Sequence, residues 1–263
     1  MKLFVFDVDG TLVTKRGILR KKTISELNKI LDRGDALAIA SGRPFVGITK
    51  FLDLLHNGNK FVIAANGAAT YKYTGEVLDV VSLTYKDFVE FNNKHSIEVK
   101  KYGGSIYCYT LKKVGYFYKT RNTINESLCN NHIELQNFNK FPLKNEEPIL
   151  KIMVAMNEKD FLSLDFDEEK NKFHFVDSSD YYHEFVNKSA DKVRGVDTLV
   201  KLLNIKEDDC YCFGDQMNDY EMIKKYKGVA MGNSIDSIKN IAKILTKDVK
   251  DDGVSFALKK LIK

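Results

Sequence analysis

Asp7 and Asp9 stand two residues apart in Asp7-Val8-Asp9-Gly10-Thr11, directly after the short apolar run 2–6. Two carboxylates this close repel unless a cation or a proton intervenes, so their place at a strand exit suits a metal-assisted reaction centre. Asp9-Gly10 is also one of the strongest hairpin-turn signals, and these residues alone leave turn and site equally open.

Other segments come after apolar runs in the same way: Ser41-Gly42-Arg43 after 36–40, Asn66-Gly67 after 61–65, and Gly214-Asp215-Gln216-Met217-Asn218-Asp219 after 211–213. In an open α/β sheet, ligands bind outside the carboxyl ends of the strands, which is where these residues would lie. Ser41-Gly42 ahead of a helix at Pro44 reads as a phosphate seat, because a hydroxyl, exposed amides and a helix N-terminus all favour negative charge. An ordinary serine N-cap has the same sequence. Asp7, Asp215 and one backbone carbonyl would give Mg²⁺ the hard oxygens it takes, although 214–219 also reads as a polar loop capping the next helix. A cation is still needed against phosphate and carboxylates. Lys192 and Lys188 compete for that role, and most lysines are simply solvated.

The elements that would position these residues alternate: strand 2–6, helix 23–33, strand 36–40, helix 44–56 and strand 61–65. This βαβαβ pattern predicts a parallel sheet. It returns with a helix over 192–203, strands at 211–213 and 228–231, and a last helix over 253–262. Between them the character changes: a helix from Thr84 through His95, aromatic strands within 99–118, then strand 150–156, helix 159–170 and strands 172–176 and 181–186. The tyrosines at 71, 73, 107, 109, 116 and 118 fit strand packing better than recognition. The expected organisation is an α/β core of residues 1–82 and 187–263, split by an inserted α+β domain at 83–186.

The chain has 263 residues, 44% of them hydrophobic, enough for a sizeable core, and no apolar run approaches the roughly 18 residues of a membrane span. A cytoplasmic protein that avoids membranes is the expectation. The formal charge of +5 is spread rather than blocked, so nucleic acid is not an expected partner. Cys108, Cys129, Cys210 and Cys212 lack paired metal spacing and read as reduced, structural thiols.

Together these segments resemble the haloacid dehalogenase-like phosphohydrolases, in particular the Cof type with a large inserted cap. Asp7–Leu12 (DVDGTL), Ala40–Arg43 (ASGR) and Gly214–Asp219 (GDQMND) match the family's first, second and fourth motifs, and Asn66–Ala68, Ala230–Asn233 and Asp252–Val254 match accessory signatures. At the third motif, ungapped counting puts Lys192 on the family's lysine, with Val193 next to it where glycine is usual.

The resemblance implies a Rossmann-like core with Asp7 as nucleophile and Asp9 as general acid and base. It implies Mg²⁺ on Asp7, Asp215 and the Asp9 carbonyl, with Thr11, Ser41, Gly42, Lys192 and Asn218 around the phosphoryl group. Asp219 would orient Lys192 or a metal-bound water, and Arg43 and Asn66 would align the site or the cap. The expected activity is hydrolysis of a small phosphorylated metabolite by a monomer, with the cap as a lid that reads the leaving group. A phosphotransferase or sugar phosphomutase would use the same intermediate, and a binding module without activity would be expected to lose one of the acids, all of which are present.

Overall fold

Leu3, Phe4, Val5 and Phe6 are all fully buried, and a strand covered on both faces belongs at the centre of a sheet flanked by helices. The computed structural model, which describes residues 1–14, 17–144 and 147–262, places it there. The chain opens with β1 (Leu3–Phe6), α1 (Lys21–Asp32), β2 (Ala36–Ala40), α2 (Phe45–Leu52), β3 (Asn59–Ala64), β4 (Ala69–Lys72) and β5 (Val77–Val80). It continues through α3 (Tyr85–Lys101), β6 (Ser105–Tyr109), β7 (Lys113–Tyr116), α4 (Arg121–Cys129), β8 (Glu134–Asn137) and β9 (Lys151–Ala155). Then come α5 (Glu158–Leu162), α6 (Asp167–Lys172), β10 (His174–Ser179) and β11 (Tyr182–Val186). It closes with α7 (Lys192–Leu202), β12 (Cys210–Gly214), α8 (Tyr220–Lys225), β13 (Lys227–Ala230), α9 (Asp236–Ile241), β14 (Ile244–Leu245) and α10 (Gly253–Leu261).

Contacts divide the chain into two compact units: Met1–Gly42, Ile48–Asp79 and Asp191–Lys263 in the first, Arg43–Gly47 and Val80–Ala190 in the second. The second unit reaches a few residues beyond 83–186 because Asn187 Nδ2 donates to Ser82 O at 2.8 Å and Leu83 bridges Ile149, so both linkers hold to it.

The first unit carries a sheet in the order β14-β13-β12-β1-β2-β3-β4-β5. β1 pairs in parallel with β12 on one side and β2 on the other, so Asp9-Gly10 cannot be the turn of a hairpin. On one face Leu3, Val5, Ala38, Ile63 and Cys212 pack with Val196 and Leu199 of α7 and Met222 and Ile223 of α8. On the other, Phe4 stacks on Tyr211 and Phe6 packs against Phe213, with ring centroids 5.1 and 4.7 Å apart. Helix α1 buries Leu27, Ile30 and Leu31 at helical spacing, and Gly34 at φ +78 ends the turn, its N–H on Leu31 O.

The second unit carries the sheet β10-β11-β9-β6-β7-β8, antiparallel in its described pairs except β7 with β8, which run parallel around α4. One face contributes Ile106, Cys108, Ile152, Val154 and Phe185 to a core with Phe88 and Phe91 of α3, Phe161 and Phe166. The single helix expected over 159–170 is instead two short ones. Phe161 and Phe166 both enter the core and stack at 4.7 Å, and a five-residue spacing cannot share one helical face, so the chain breaks between them. Tyr107 and Tyr109 are buried, with their hydroxyls donating to Glu126 on α4. They pack within this unit, as the strand pattern suggests. No helix among the described residues is long and apolar enough to cross a membrane.

Candidate active site

Just beyond β1, Asp7 still donates its backbone N–H to Phe213 O at 3.0 Å, which holds its side chain at the carboxyl end of the central strand. The chain then curls back, with the Leu12 and Val13 N–H groups both on Val8 O at 2.9 Å. Gly10 makes the bend at φ +92, and a Cβ there would lie 2.3 Å from Asp215 Oδ2, so glycine is what lets the β1 loop lie against the β12 loop. Asp9 is exposed on the outside of this curl. Thr11 is buried inside it and donates its hydroxyl to Asp215 Oδ1 at 2.8 Å. The Thr11 hydroxyl, expected from the resemblance near the phosphoryl group, holds Asp215 in this structure.

Helix α7 begins with Asp191 as cap, its Oδ1 accepting the Val193 N–H at 2.9 Å. Lys192 is therefore the first helical residue, and it is 1% exposed. Its Nζ donates to Asp7 Oδ1 and to Asp219 Oδ1, each at 2.7 Å. Lys188, its competitor in the sequence, is exposed. Val193 packs half-buried on the core, so a side chain is accommodated where the related motif has glycine. Close approach comes from Gly67 instead: it sits at φ +88, and a Cβ there would lie 1.9 Å from Asp191 O.

Asp219 has both oxygens engaged, because its Oδ2 accepts the N–H groups of Asp215 at 2.8 Å and Gln216 at 3.2 Å. That geometry orients Lys192 and ties down the loop that presents Asp215. Ligand oxygens of Asp7, Asp215 and Asp219 all lie within 4.8 Å of one another. Three buried carboxylates thus share one ammonium. Burial pushes the Asp7 carboxyl well above its usual range, Lys192 opposes this, and Asp219 and Asp215 add to it. Burial likewise raises Asp215 to about 6, against the Thr11 hydrogen bond and with the help of Asp219. Burial alone would lower the Lys192 pKa, but Asp219 and Asp7 outweigh it and hold the ammonium above the ordinary lysine value. Such a surplus of hard, negative oxygen donors fits a divalent cation such as Mg²⁺. Asp7, Asp215 and Asp219 could each offer such an ion a carboxylate oxygen. Asp9 is not part of the clustered carboxylates.

A second group forms at the neighbouring strand ends. Asn66 N donates to Ser41 O at 3.0 Å, a Cβ on Gly42 would lie 3.2 Å from Asn66 Nδ2, and Asn218 Nδ2 donates to Asn66 Oδ1 at 3.3 Å. Ser41 and Asn66 are buried, and Asn218 is exposed. Ala65, Asn66 and Gly67 all have positive φ, at 50, 55 and 88. For Ala65 that conformation costs about 1 kcal/mol, the kind of strain that collects where a backbone must be aimed. Arg43 is half-buried and belongs to the short segment grouped with the second unit.

Two contributors were given no role in the sequence, although Asn233 closes the accessory signature Ala230–Asn233. Asn233, at the exit of β13, donates through Nδ2 to Gly10 O at 2.9 Å and Asp215 Oδ2 at 3.4 Å. Ser234 donates its hydroxyl to Gly214 O at 3.1 Å. The strand-exit rule that selects Ser41 and Asp215 applies equally to β13 and would have found them.

The model of a family described as haloacid dehalogenase-like hydrolase matches residues 4–258. The chain belongs to that family. It is a hydrolase of the Cof type, and several of its relatives are named as phosphatases. A Streptococcus pyogenes protein named "Putative phosphatase" is 28% identical over 276 residues, covering 100% of this chain and 98% of that protein. The HMP-PP phosphatase of Yersinia pseudotuberculosis is 25% identical over 244 residues, covering 90% and 86%. A haloacid dehalogenase-like hydrolase from Bacteroides thetaiotaomicron shares the fold with a TM-score of 0.85 at 24% identity, covering 99% of both chains.

Proposed function

We propose that this hydrolase is a Mg²⁺-dependent phosphatase of a small phosphorylated metabolite, a sugar phosphate or a phosphorylated cofactor, and that it works through an aspartyl-phosphate on Asp7. The observation that carries the reading is the buried ion pair of Asp7 with Lys192, locked by Asp219 beside Asp215. A relative named HMP-PP phosphatase supports a small phosphorylated molecule as substrate.

An Asp7 oxygen attacks phosphorus and forms the new P–O bond as the bond to the leaving oxygen breaks. Asp9 gives its proton to that leaving oxygen. In the second half, Asp9 takes a proton from water as the water oxygen attacks phosphorus, which releases inorganic phosphate and the Asp7 carboxylate. Lys192, Ser41, the Gly42 amide and Asn218 hold the phosphoryl oxygens, while Thr11 and Asp219 hold the residues that act. Mg²⁺, carried by Asp7, Asp215 and the Asp9 carbonyl, supplies the positive charge that lets an anionic carboxylate approach an anionic phosphoryl group. The second unit, inserted between β5 and α7, is assigned the choice of leaving group.

Steady-state hydrolysis of p-nitrophenyl phosphate tests this. Asp7→Asn should fold normally and lose turnover, and chelation should silence the wild type until Mg²⁺ is restored. Wild-type rates from a cleanly prepared Asp7→Asn protein would contradict the assignment.

A further inference from the structure

Both carboxylate oxygens of Asp215 meet a hydrogen-bond donor. Thr11 Oγ1 donates to Oδ1 at 2.8 Å, and Gln216 Nε2 and Asn233 Nδ2 each approach Oδ2 at 3.4 Å. Gln216 is exposed and belongs to the same loop as Asp215, so it moves with the group it would have to fix. Asn233 is half-buried and comes from a different strand exit, that of β13. Its carboxamide is itself fixed, because Oδ1 accepts the Val249 N–H at 2.9 Å and so turns Nδ2 towards the site. An amide nitrogen has two hydrogens, and the acceptors within their reach are Gly10 O at 2.9 Å and Asp215 Oδ2.

The Gly10 carbonyl belongs to the peptide that leads into Thr11. The N–H of that peptide makes only a long bond, to Val8 O at 3.3 Å, so Asn233 supplies its shorter anchor. Asn233 thus bears on Asp215 twice: directly at Oδ2, and at Oδ1 through the peptide that presents the Thr11 hydroxyl. There is little slack between these parts, since a Cβ on Gly10 would lie 2.3 Å from Asp215 Oδ2. The course of the β12 loop has other supports. Ser234 Oγ donates to Gly214 O at 3.1 Å, Ile235 N to Asp215 O at 3.2 Å, and Asp215 N to Asp219 Oδ2 at 2.8 Å. Removing the Asn233 side chain therefore leaves the loop in place and loosens the carboxylate. We propose that Asn233 is a positioning residue for the metal: by clamping the Asp215 carboxylate and the Gly10–Thr11 peptide together, it fixes the direction in which Asp215 offers its oxygen to a divalent cation. The inference rests on the proposed Mg²⁺ site.

Loss of a group that orients a metal ligand typically costs about 10–100-fold in affinity. Mg²⁺ demands near-ideal octahedral geometry, whereas Ca²⁺ accepts irregular arrangements, so a misdirected carboxylate penalises Mg²⁺ more than Ca²⁺. A general loosening of the site weakens both. The test measures the Kd of each ion for the metal-free protein from the rise in melting temperature with ion concentration, which needs no turnover. Asn233→Ala should bind Mg²⁺ about tenfold or more weakly than the wild type, and Ca²⁺ less than about threefold more weakly. Asn233→Leu, close in size but without a donor, should show the same bias, and it carries the test if Asn233→Ala does not fold. Unchanged Mg²⁺ affinity in a folded variant, or equal losses for the two ions, would overturn the proposal. A wild-type protein that Mg²⁺ does not stabilise would instead bring down the Mg²⁺ reading itself, so the two failures are distinguishable.

Discussion

At the residue scale, the chemistry turns on how much negative charge surrounds one buried ammonium. Asp7, Asp215 and Asp219 converge within 4.8 Å, and only Lys192 answers them among the described ion pairs of that cluster. Without metal this arrangement strains the fold, and Asp215 shows the sign. Its carboxyl is raised from 3.8 to about 6, so the native state holds that proton more tightly than the unfolded chain does. The carboxylate therefore costs nothing at pH below the unfolded value, destabilises the metal-free protein increasingly as pH rises from 3.8 to about 6, and adds no further cost well above that. Asp215→Asn should match the wild type in metal-free thermal melts at about pH 4 and exceed it at about pH 7.5, by up to roughly 3 kcal/mol. Mg²⁺ should stabilise the wild type at the higher pH and leave the variant nearly unmoved. Equal melting of the two proteins at neutral pH would argue against a charge surplus at this site.

At the scale of elements, strand exits deliver the reacting groups and glycines let them meet. Gly67 is the sharpest case, because its φ of +88 disfavours any side chain and a Cβ would overlap Asp191 O at 1.9 Å. Gly67→Ala should push back the start of α7, separate Lys192 from Asp7 and lower kcat at least about tenfold, with a stability loss of about 1–3 kcal/mol measured by denaturant unfolding. An active, fully stable Gly67→Ala enzyme would show that the helix start is not held by this contact. The exits of β1, β2, β3 and β12 were legible in the sequence because buried parallel strands are continuous apolar runs, and the polar residues at their ends stand out against them. Lys192 was harder to choose over Lys188, since only the folded chain reveals which lysine points into the acids. The Thr11 hydroxyl, the Asn233 clamp and the break between α5 and α6 depend on partners distant in sequence or on two phenylalanines sharing one core. Local pattern carries no record of either.

At the scale of the whole molecule, two units with separate hydrophobic cores divide the labour of one chain. Every residue proposed to hold metal lies in the first unit, as do the phosphoryl-holding residues. Calorimetry should therefore resolve more than a single two-state transition, and Mg²⁺ should raise the one that belongs to the first unit while leaving the other in place. A single transition that Mg²⁺ shifts as a whole would show that the two cores unfold together. The central claim, that phosphate passes through Asp7, is tested most directly by acid-quenching a single turnover of enzyme with phosphate-labelled phenyl phosphate and Mg²⁺, then mapping label on the protein. The account predicts transient label on the peptide carrying Asp7 and none in Asp7→Asn. Turnover without protein-bound label, or label on a peptide elsewhere in the chain, would contradict it.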